Sequence, residues 1–567
     1  MSDGLTIALA QFNPRVGDVP GNIERLRALR SQAAQAGADL VVASELCITG
    51  YPPEDLVLKR AFLDTAMQGV RDLAAETGDG GPGLIVGCPW LEDTDARHPL
   101  RGKVYNAALL LDGGEVQARR YKWNLPNYGV FDEVRVFAQG PLPGPMNFRG
   151  VRLGVMLCED LWTEDVSECL EESGAEILVV SNGSPYERDK HDLRTQVAVR
   201  RITESGLPLI YVNQVGGQDE LVFDGASFVL GADCSLAAQL PAFEEHLGLT
   251  YWRRGAEGWQ CEDSERVPVD AGLGSVYRAL VLGLRDYVGK NGFPGVIVGL
   301  SGGIDSALSA AVAVDALGAK ATRCVMMPSP YTSQHSLDDA AECARLLGAD
   351  LDEVGIQPAM DAFADMLAPI FTGHEADTTE ENIQARSRGI ILMAISNKLG
   401  HMVLSTGNKS EMSVGYATLY GDMAGGFNVL KDVYKTTVYA LARWRNQAEG
   451  ANGVAGDGLL GPAGRVIPER ILTKAPSAEL KPDQTDQDSL PSYDELDDIL
   501  ECLIEEEMGT SEIVARGHEE EVVRRVWRML ENAEYKRRQA APGVKITRRA
   551  FGRDRRYPIT NAFKGQY

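Results

Sequence analysis

Residues 295–306, Gly-Val-Ile-Val-Gly-Leu-Ser-Gly-Gly-Ile-Asp-Ser, constrain this chain more than any other stretch. Val296 to Val298 form an apolar run short enough for a buried strand. The run breaks at Ser301-Gly302-Gly303, and apolar residues resume at helical spacing as Ala307, Leu308, Ala311 and Val312. Strand, phosphate-sized turn and helix N-terminus follow one another. Gly302 and Gly303 let backbone amides converge, the helix dipole adds positive potential, and Ser301 and Ser306 supply hydroxyls. An anion of pyrophosphate size fits such a cradle. Asp305 would repel a bare phosphate, so its expected purpose is to hold Mg²⁺ beside one. The lysine of a Walker loop is missing, which argues against ordinary γ-phosphate transfer.

At 567 residues the chain is too long for one ordinary core, and two to four domains are expected. A formal charge of −25 disfavours nucleic acid or a membrane surface as partner of its body. Nine cysteines without a Cys-x-x-Cys pair indicate neither a disulfide framework nor a structural zinc site, and a reducing compartment follows. Met1-Ser2-Asp3-Gly4 leads into a strand-like run without a basic leader, and no apolar run approaches the ~20 residues of a membrane span. The expected location is cytoplasmic.

In chain order, Leu5 to Ala10 reads as a strand, the series Ile23, Leu26, Leu29, Ala33 as a helix, and Asp39 to Ser44 as a second strand. This β-α-β start predicts a layered α/β domain with its site at strand C-terminal ends. Further strand-like runs cover 84–87, 104–111, 151–157, 176–181 and 207–213. Glu45, Lys122 and Cys158 fall at or near such ends. A thiolate is a strong nucleophile that needs a base, a carboxylate can take the proton, and an ammonium can hold an oxyanion. Carbon–nitrogen bond hydrolysis suits that trio.

The three pieces, Glu45, Tyr121-Lys122-Trp123 and Cys158-Glu159-Asp160-Leu161-Trp162, resemble the Glu-Lys-Cys amidohydrolases of the nitrilase superfamily over about Thr6 to Gly231. The resemblance implies an α-β-β-α sandwich. Leu125-Pro126-Asn127-Tyr128-Gly129-Val130-Phe131-Asp132-Glu133 is similar to the glutaminase version, which implies that Glu133 orients the lysine. Tyr128, Ser184 in Ser181-Asn182-Gly183-Ser184-Pro185-Tyr186, and Lys190 would then recognise glutamine.

Periodicity fades between about Ala242 and Pro268, and Leu273, Val276, Tyr277, Leu280 and Leu284 then mark an amphipathic helix. The expected division is a first domain over 1–245, a linker over 246–268, read as such or as a strand crossing to the next domain, and a second domain over 269–567. Ala321 to Met327 reads as a parallel strand. His401 to Ser405 reads as another, followed by Thr406-Gly407-Asn408-Lys409-Ser410-Glu411, which sets a second carboxylate opposite Asp305. The Gly-, Asp- and Asn-dense stretch 415–435 reads either as a surface loop or as a functional one.

Ser-Gly-Gly-Ile-Asp-Ser resembles the loop of the ATP-pyrophosphatases, which adenylate a carbonyl oxygen. With Glu381-Asn382-Ile383-Gln384-Ala385-Arg386, the 415–435 stretch and Pro476-Ser477-Ala478-Glu479-Leu480, residues 271–563 resemble the NAD synthetases. A doubly wound, Rossmann-like parallel sheet is implied. Carried over, the resemblance implies that Asp305, Thr406 and Glu411 hold Mg²⁺. Gly299, Ser301, Gly302, Gly303, Ser306, Arg386, Thr406 and Lys435 would bind ATP, and Asn382, Glu411, Asp422 and Lys536 would bind deamido-NAD⁺. Residues 483–488 correspond to a substrate-side loop. The Gly-rich segment 450–464 is longer than a minimal synthetase needs and is expected as a solvent loop or subunit contact. The basic stretch Lys536–Arg556 reads generically as a nucleic-acid tail, but its non-repetitive sequence suggests a folded arm, near dinucleotide and ATP phosphates in the family. The whole implies glutamine-fed, ATP-dependent amidation by a homo-oligomer. The ATP loop alone also fits other amide-forming enzymes, and a silent nitrilase-like scaffold is the rival from another class.

Overall fold

Two compact units, Met1–Ala271 and Gly272–Tyr567, make up the protein in a computed structural model that describes residues 4–92, 102–449, 454–456, 458–482 and 484–563. In the first unit Gly4–Gln11, Leu40–Ala43 and Gly83–Leu91 run parallel, as the β-α-β pattern predicts. They are the centre of a seven-stranded sheet in the order Gly258–Cys261, His246–Gly255, Gly4–Gln11, Leu40–Ala43, Gly83–Leu91, Val104–Asp112, Glu115–Tyr121. A six-stranded sheet follows the order Leu236–Gln239, Phe228–Leu230, Leu209–Asn213, Ile177–Asn182, Val151–Leu157, Met146–Phe148. Ile7, Leu9 and Val42 of the first sheet meet Val155, Val179 and Val212 of the second in one buried layer. Helices Val19–Gln35 and Arg60–Glu76 cover the outer face of the first sheet, and Glu164–Glu172 and Lys190–Ser205 that of the second. Strands buried on both faces read as continuous apolar runs, which is why Leu-Val-Val-Ala is legible in sequence. This is the expected α-β-β-α sandwich.

Much of 246–268 is strand, and it pairs within the first unit. His246–Gly255 pairs antiparallel with Gly4–Gln11 from Gly4↔Arg253 to Gln11↔His246 and turns back as Gly258–Cys261. Gly248, Thr250 and Trp252 alternate with less buried neighbours, and only the tryptophan is large and apolar, so the period-two signal is faint.

In the second unit, five parallel strands lie in the order Asp350–Glu353, Thr322–Met326, Val296–Gly299, Met402–Ser405, Phe427–Asn428. Strand order reverses at Val296–Gly299, so its C-terminal end is the switch point at which doubly wound sheets hold ligands. The helix Ile304–Leu317 after it is buried along most of its length. Residues 415–435 are no surface loop: Phe427, Val429, Leu430 and Val433 are buried. The 450–464 segment lies partly outside the described residues, as does Asp483.

The basic C-terminal stretch is a folded arm whose counter-charge comes from its own unit. Lys545 pairs with Asp554 at 2.8 Å, Arg555 with Glu531 at 2.7 Å, and Arg537 with Glu534 at 2.8 Å. Asp432 accepts from the amides of Ile546 and Thr547, both at 2.7 Å. Phosphates are therefore not needed to explain the charge.

One polar cluster in this unit is fully enclosed. Asp315 accepts from Arg445 Nε at 2.5 Å, Tyr277 Oη at 2.6 Å and the Gly461 amide at 3.1 Å, joining three helices and a strand. Asp315→Ala strands the buried guanidinium and is expected to cost about 3–5 kcal/mol, measured by denaturant unfolding of the second unit's signal. No helix among the described residues is long and apolar enough to cross a membrane.

Candidate active sites

Strand ends build the first site. Glu45 follows Leu40–Ala43, Lys122 follows Glu115–Tyr121, and Cys158 opens the turn after Val151–Leu157 with a left-handed φ of 43°. All three are buried. Lys122 Nζ donates to Glu45 Oε1 at 2.7 Å and to Glu133 Oε1 and Oε2 at 2.9 and 3.0 Å. Glu45 Oε2 accepts from the Gly183 amide at 2.9 Å, and Tyr51 donates to Glu133 at 2.9 Å.

Burial opposes charge on Lys122, but Glu133, Glu45 and Cys158 hold its pKa well above the ordinary ammonium range. Burial pushes the Cys158 thiol well up, Glu45 adds to the rise, and Lys122 works against it. The buried site thus disfavours a thiolate at rest and favours the ammonium of Lys122. Glu133 is raised by burial and by Glu45, against Lys122.

The glutamine-side expectations fall unevenly. Tyr128 donates to both oxygens of Glu159 at 3.0 Å, and the Lys190 ammonium lies 6.0 Å from the Phe131 ring centroid. Ser184 is buried; its amide donates to Asn213 at 3.0 Å and its hydroxyl accepts from Arg194 at 3.1 Å. Asn106, Tyr51 and Glu159 escape the sequence reading. Asn106 Nδ2 donates to Glu45 at 2.7 Å from inside the apolar run 104–111, where a lone amide was the available signal.

The second site is a cavity at the switch point, lined among others by Ser301, Gly303, Asp305, Ser306, Thr406, Glu411, Asp422 and Lys435. Gly302 has φ +78°, and a Cβ there would sit 2.2 Å from the Ser336 carbonyl oxygen, so no other residue fits. Ser301 and Ser306 bind each other and the turn: the Ser301 amide donates to Ser306 Oγ at 3.2 Å, and Ser306 Oγ to the Gly303 carbonyl at 3.0 Å. Lys435 Nζ joins Asp305 at 2.5 Å and Glu411 at 2.8 Å. Asn408 donates to the other Asp305 oxygen at 2.8 Å. Burial pushes Glu411 up to about 7, with Lys435 opposing and Asp305 adding to the rise. Burial likewise brings Asp422 up to about 6, against the Thr418 amide and Lys536.

Asn382, Arg386 and Lys536 do not line this cavity; Arg388 does, its Nε donating to the Met327 carbonyl at 3.1 Å. Arg386 donates to the Leu419 carbonyl at 3.2 Å, and Lys536 to the carbonyls of Gly415 and Ala417, both at 2.7 Å.

Over 566 residues, spanning all of both chains, this sequence is 51% identical to the glutamine-dependent NAD(+) synthetase of Rhodobacter capsulatus. The chain belongs to the glutamine-dependent NAD(+) synthetases. The Acinetobacter baylyi synthetase is 45% identical over 98% of each chain. A glutamine-dependent NAD⁺ synthetase from Acinetobacter baumannii, solved in complex with adenosine diphosphate, superposes with a TM-score of 0.77 at 43% identity, covering 98% of this chain and 99% of that one. The carbon-nitrogen hydrolase family model matches residues 6–251 and the NAD synthase model residues 276–540. The protein is thus an enzyme that hydrolyses glutamine and makes NAD⁺, with the first site in its carbon-nitrogen hydrolase part and the cavity in its NAD synthase part.

Proposed function

We propose that amidation of deamido-NAD⁺ by this synthetase runs through an acyl-adenylate and draws ammonia from a Cys158 thioester. The Cys158 sulfur attacks the glutamine carboxamide carbon as Glu45 takes the thiol proton, and Lys122 faces the oxyanion. Glu45 returns the proton to the leaving nitrogen, ammonia departs, and water activated by Glu45 frees glutamate. Glu133 and Asn106 keep Lys122 and Glu45 in register. Glu159, held by Tyr128, offers an anion for the substrate's α-ammonium, with Lys190 facing its carboxylate.

At the cavity, the nicotinate carboxylate of deamido-NAD⁺ attacks the α-phosphorus of ATP and expels pyrophosphate; ammonia then attacks the acyl carbon and AMP leaves. Direct attack on a carboxylate is too slow without that leaving group. The turn at the N-terminus of helix Ile304–Leu317 and the ammonium of Lys435 receive the phosphates. Asp305 and Glu411 share Lys435 beside the phosphate turn, a pair of carboxylates whose oxygen donors suit a hard divalent ion held against phosphate. Asp305, Glu411 and Thr406 would hold Mg²⁺, which neutralises phosphate charge when bound. Of the residues proposed for the dinucleotide, Asp422 and Glu411 line the cavity.

What carries this reading is the joint presence in one chain of a buried thiol with its base and ammonium, and of a Gly-Gly phosphate turn facing two carboxylates. Deamido-NAD⁺, ATP and Mg²⁺ are expected to give NAD⁺ with either glutamine or ammonium, and AMP with pyrophosphate as nucleotide products. Formation of ADP would overturn the adenylate.

Ammonia released into neutral water becomes ammonium and is diluted, so passage through protein is favoured. Amide-¹⁵N glutamine turned over with excess unlabelled ammonium is expected to give NAD⁺ that keeps most of its label. Dilution in proportion to the bulk pool would exclude the passage.

The enzyme is also proposed to work as a homo-oligomer through its synthetase unit. Helix Gln357–Phe371 has no fully buried side chain; Met366 and Ile370 are 61% and 71% exposed, and Ile390 of the packed helix Thr378–Leu399 is 60% exposed. A second copy burying this face would remove an apolar liability. Ile370→Glu with Met366→Glu is expected to reduce the assembly toward monomer in light scattering; an unchanged mass would move the interface elsewhere.

A further inference from the structure

The nucleophile and the oxyanion ammonium stand on separate strands, and one buried carboxylate ties those strand ends together. Asp160, 2% exposed, accepts through Oδ1 from the amides of Trp123 at 3.1 Å and Asn124 at 2.8 Å, the two residues after Lys122. Through Oδ2 it accepts from the amide of Leu157 at 3.1 Å, the residue before Cys158. Asn124 adds a second tie through its side chain, which donates to Thr163 Oγ1 at 2.7 Å. Cys158 itself sits at φ 43°, a left-handed conformation that a β-carbon disfavours and that its surroundings must maintain.

We propose that Asp160 is a positioning residue of the glutaminase reaction, fixing the Cys158 turn against the end of the Lys122 strand so that sulfur and ammonium meet the same carbonyl. The backbone of Lys122 is already set on its other side, its amide donating to the Asn106 carbonyl at 2.9 Å and its carbonyl accepting from Gly140 at 2.9 Å. Asp160 supplies the missing link between that frame and the nucleophile. Both oxygens must be acceptors, because all three partners are N–H donors. No other side-chain type of this length meets that demand: asparagine keeps one oxygen and turns an NH₂ toward a donor. The placement needs no contact with glutamine, which separates Asp160 from Tyr128, Glu159 and Lys190.

Asp160→Asn in the full-length enzyme is the test, since it preserves shape. Reacting groups displaced by about an ångström lose about a hundredfold in rate. The kcat for glutamine hydrolysis is therefore expected to fall by that order while the glutamine KM and ammonium-dependent NAD⁺ synthesis stay near parental. Asp160→Ala, which leaves three amide donors without their acceptor, is expected to lower kcat likewise and to lower the melting temperature as well. Parental kcat in either variant overturns the proposal. A raised KM at parental kcat would make Asp160 a recognition residue and also overturns it. So does an equal loss of the ammonium-dependent rate or of soluble protein, which would mark a structural role alone. Failure of the thioester reading is distinguishable, because Cys158→Ala would then retain glutamine turnover whatever Asp160 does.

Discussion

Replacing Cys158 by alanine abolishes NAD⁺ synthesis from glutamine and leaves synthesis from ammonium close to the parental rate. Loss of a covalent nucleophile removes roughly 10⁶-fold of turnover, which takes glutamine use to background. The buried neighbourhood argues that nothing replaces it. Glu45 and Glu133 are both held by Lys122, so neither carboxylate is placed to attack, and a water in the vacated space would lack the thiol's nucleophilicity. The ammonium route survives because Cys158 belongs to the unit Met1–Ala271, whereas the phosphate turn and Asp305 belong to the other. Both rates are read as NAD⁺ formed per enzyme. Parental glutamine use by the variant would remove Cys158 from the mechanism.

Asp305→Asn and Glu411→Gln have the complementary effect: synthesis falls with either nitrogen source, while glutamate release continues. Each variant keeps side-chain shape and removes one of the two charges that meet Lys435 at 2.5 and 2.8 Å. A lost charge at a phosphoryl-transfer centre costs about 10²–10³-fold, so the fall is expected in kcat with ammonium. Measuring pyrophosphate release separates adenylation from amide formation. Full ammonium-dependent activity in either variant would show that the carboxylate pair serves the fold rather than the phosphates.

Residues at strand ends were the legible part of both sites. Glu45 and Cys158 stand where apolar runs stop, and the Ser-Gly-Gly-Ile-Asp-Ser turn announces itself because only glycine satisfies position 302. Cross-strand partners were not legible. Asn106, Tyr51 and Asp160 act through hydrogen bonds between segments far apart in the chain, and nothing in their local sequence names the partner. Asp350–Glu353 is a strand of Asp-Leu-Asp-Glu at a sheet edge, where half-exposed positions tolerate charge and erase the apolar pattern. The folded arm is legible from its non-repetitive sequence, but the source of its counter-charge is not: charge counted along the sequence says nothing of the carboxylates of Glu531, Glu534 and Asp554 that meet it in space.

The pairing of Gly4–Gln11 with His246–Gly255 has a temporal side. Gly4–Gln11 leaves the ribosome about 240 residues before the partner that completes it, a wait of about 12–50 s at ~5–20 residues per second. Throughout that interval the backbone amides and carbonyls of an eight-residue strand stand open on one side. A glutaminase fragment ended at residue 245 would keep that edge for good and would invite pairing between molecules, whereas one extended through Cys261 carries its own cover.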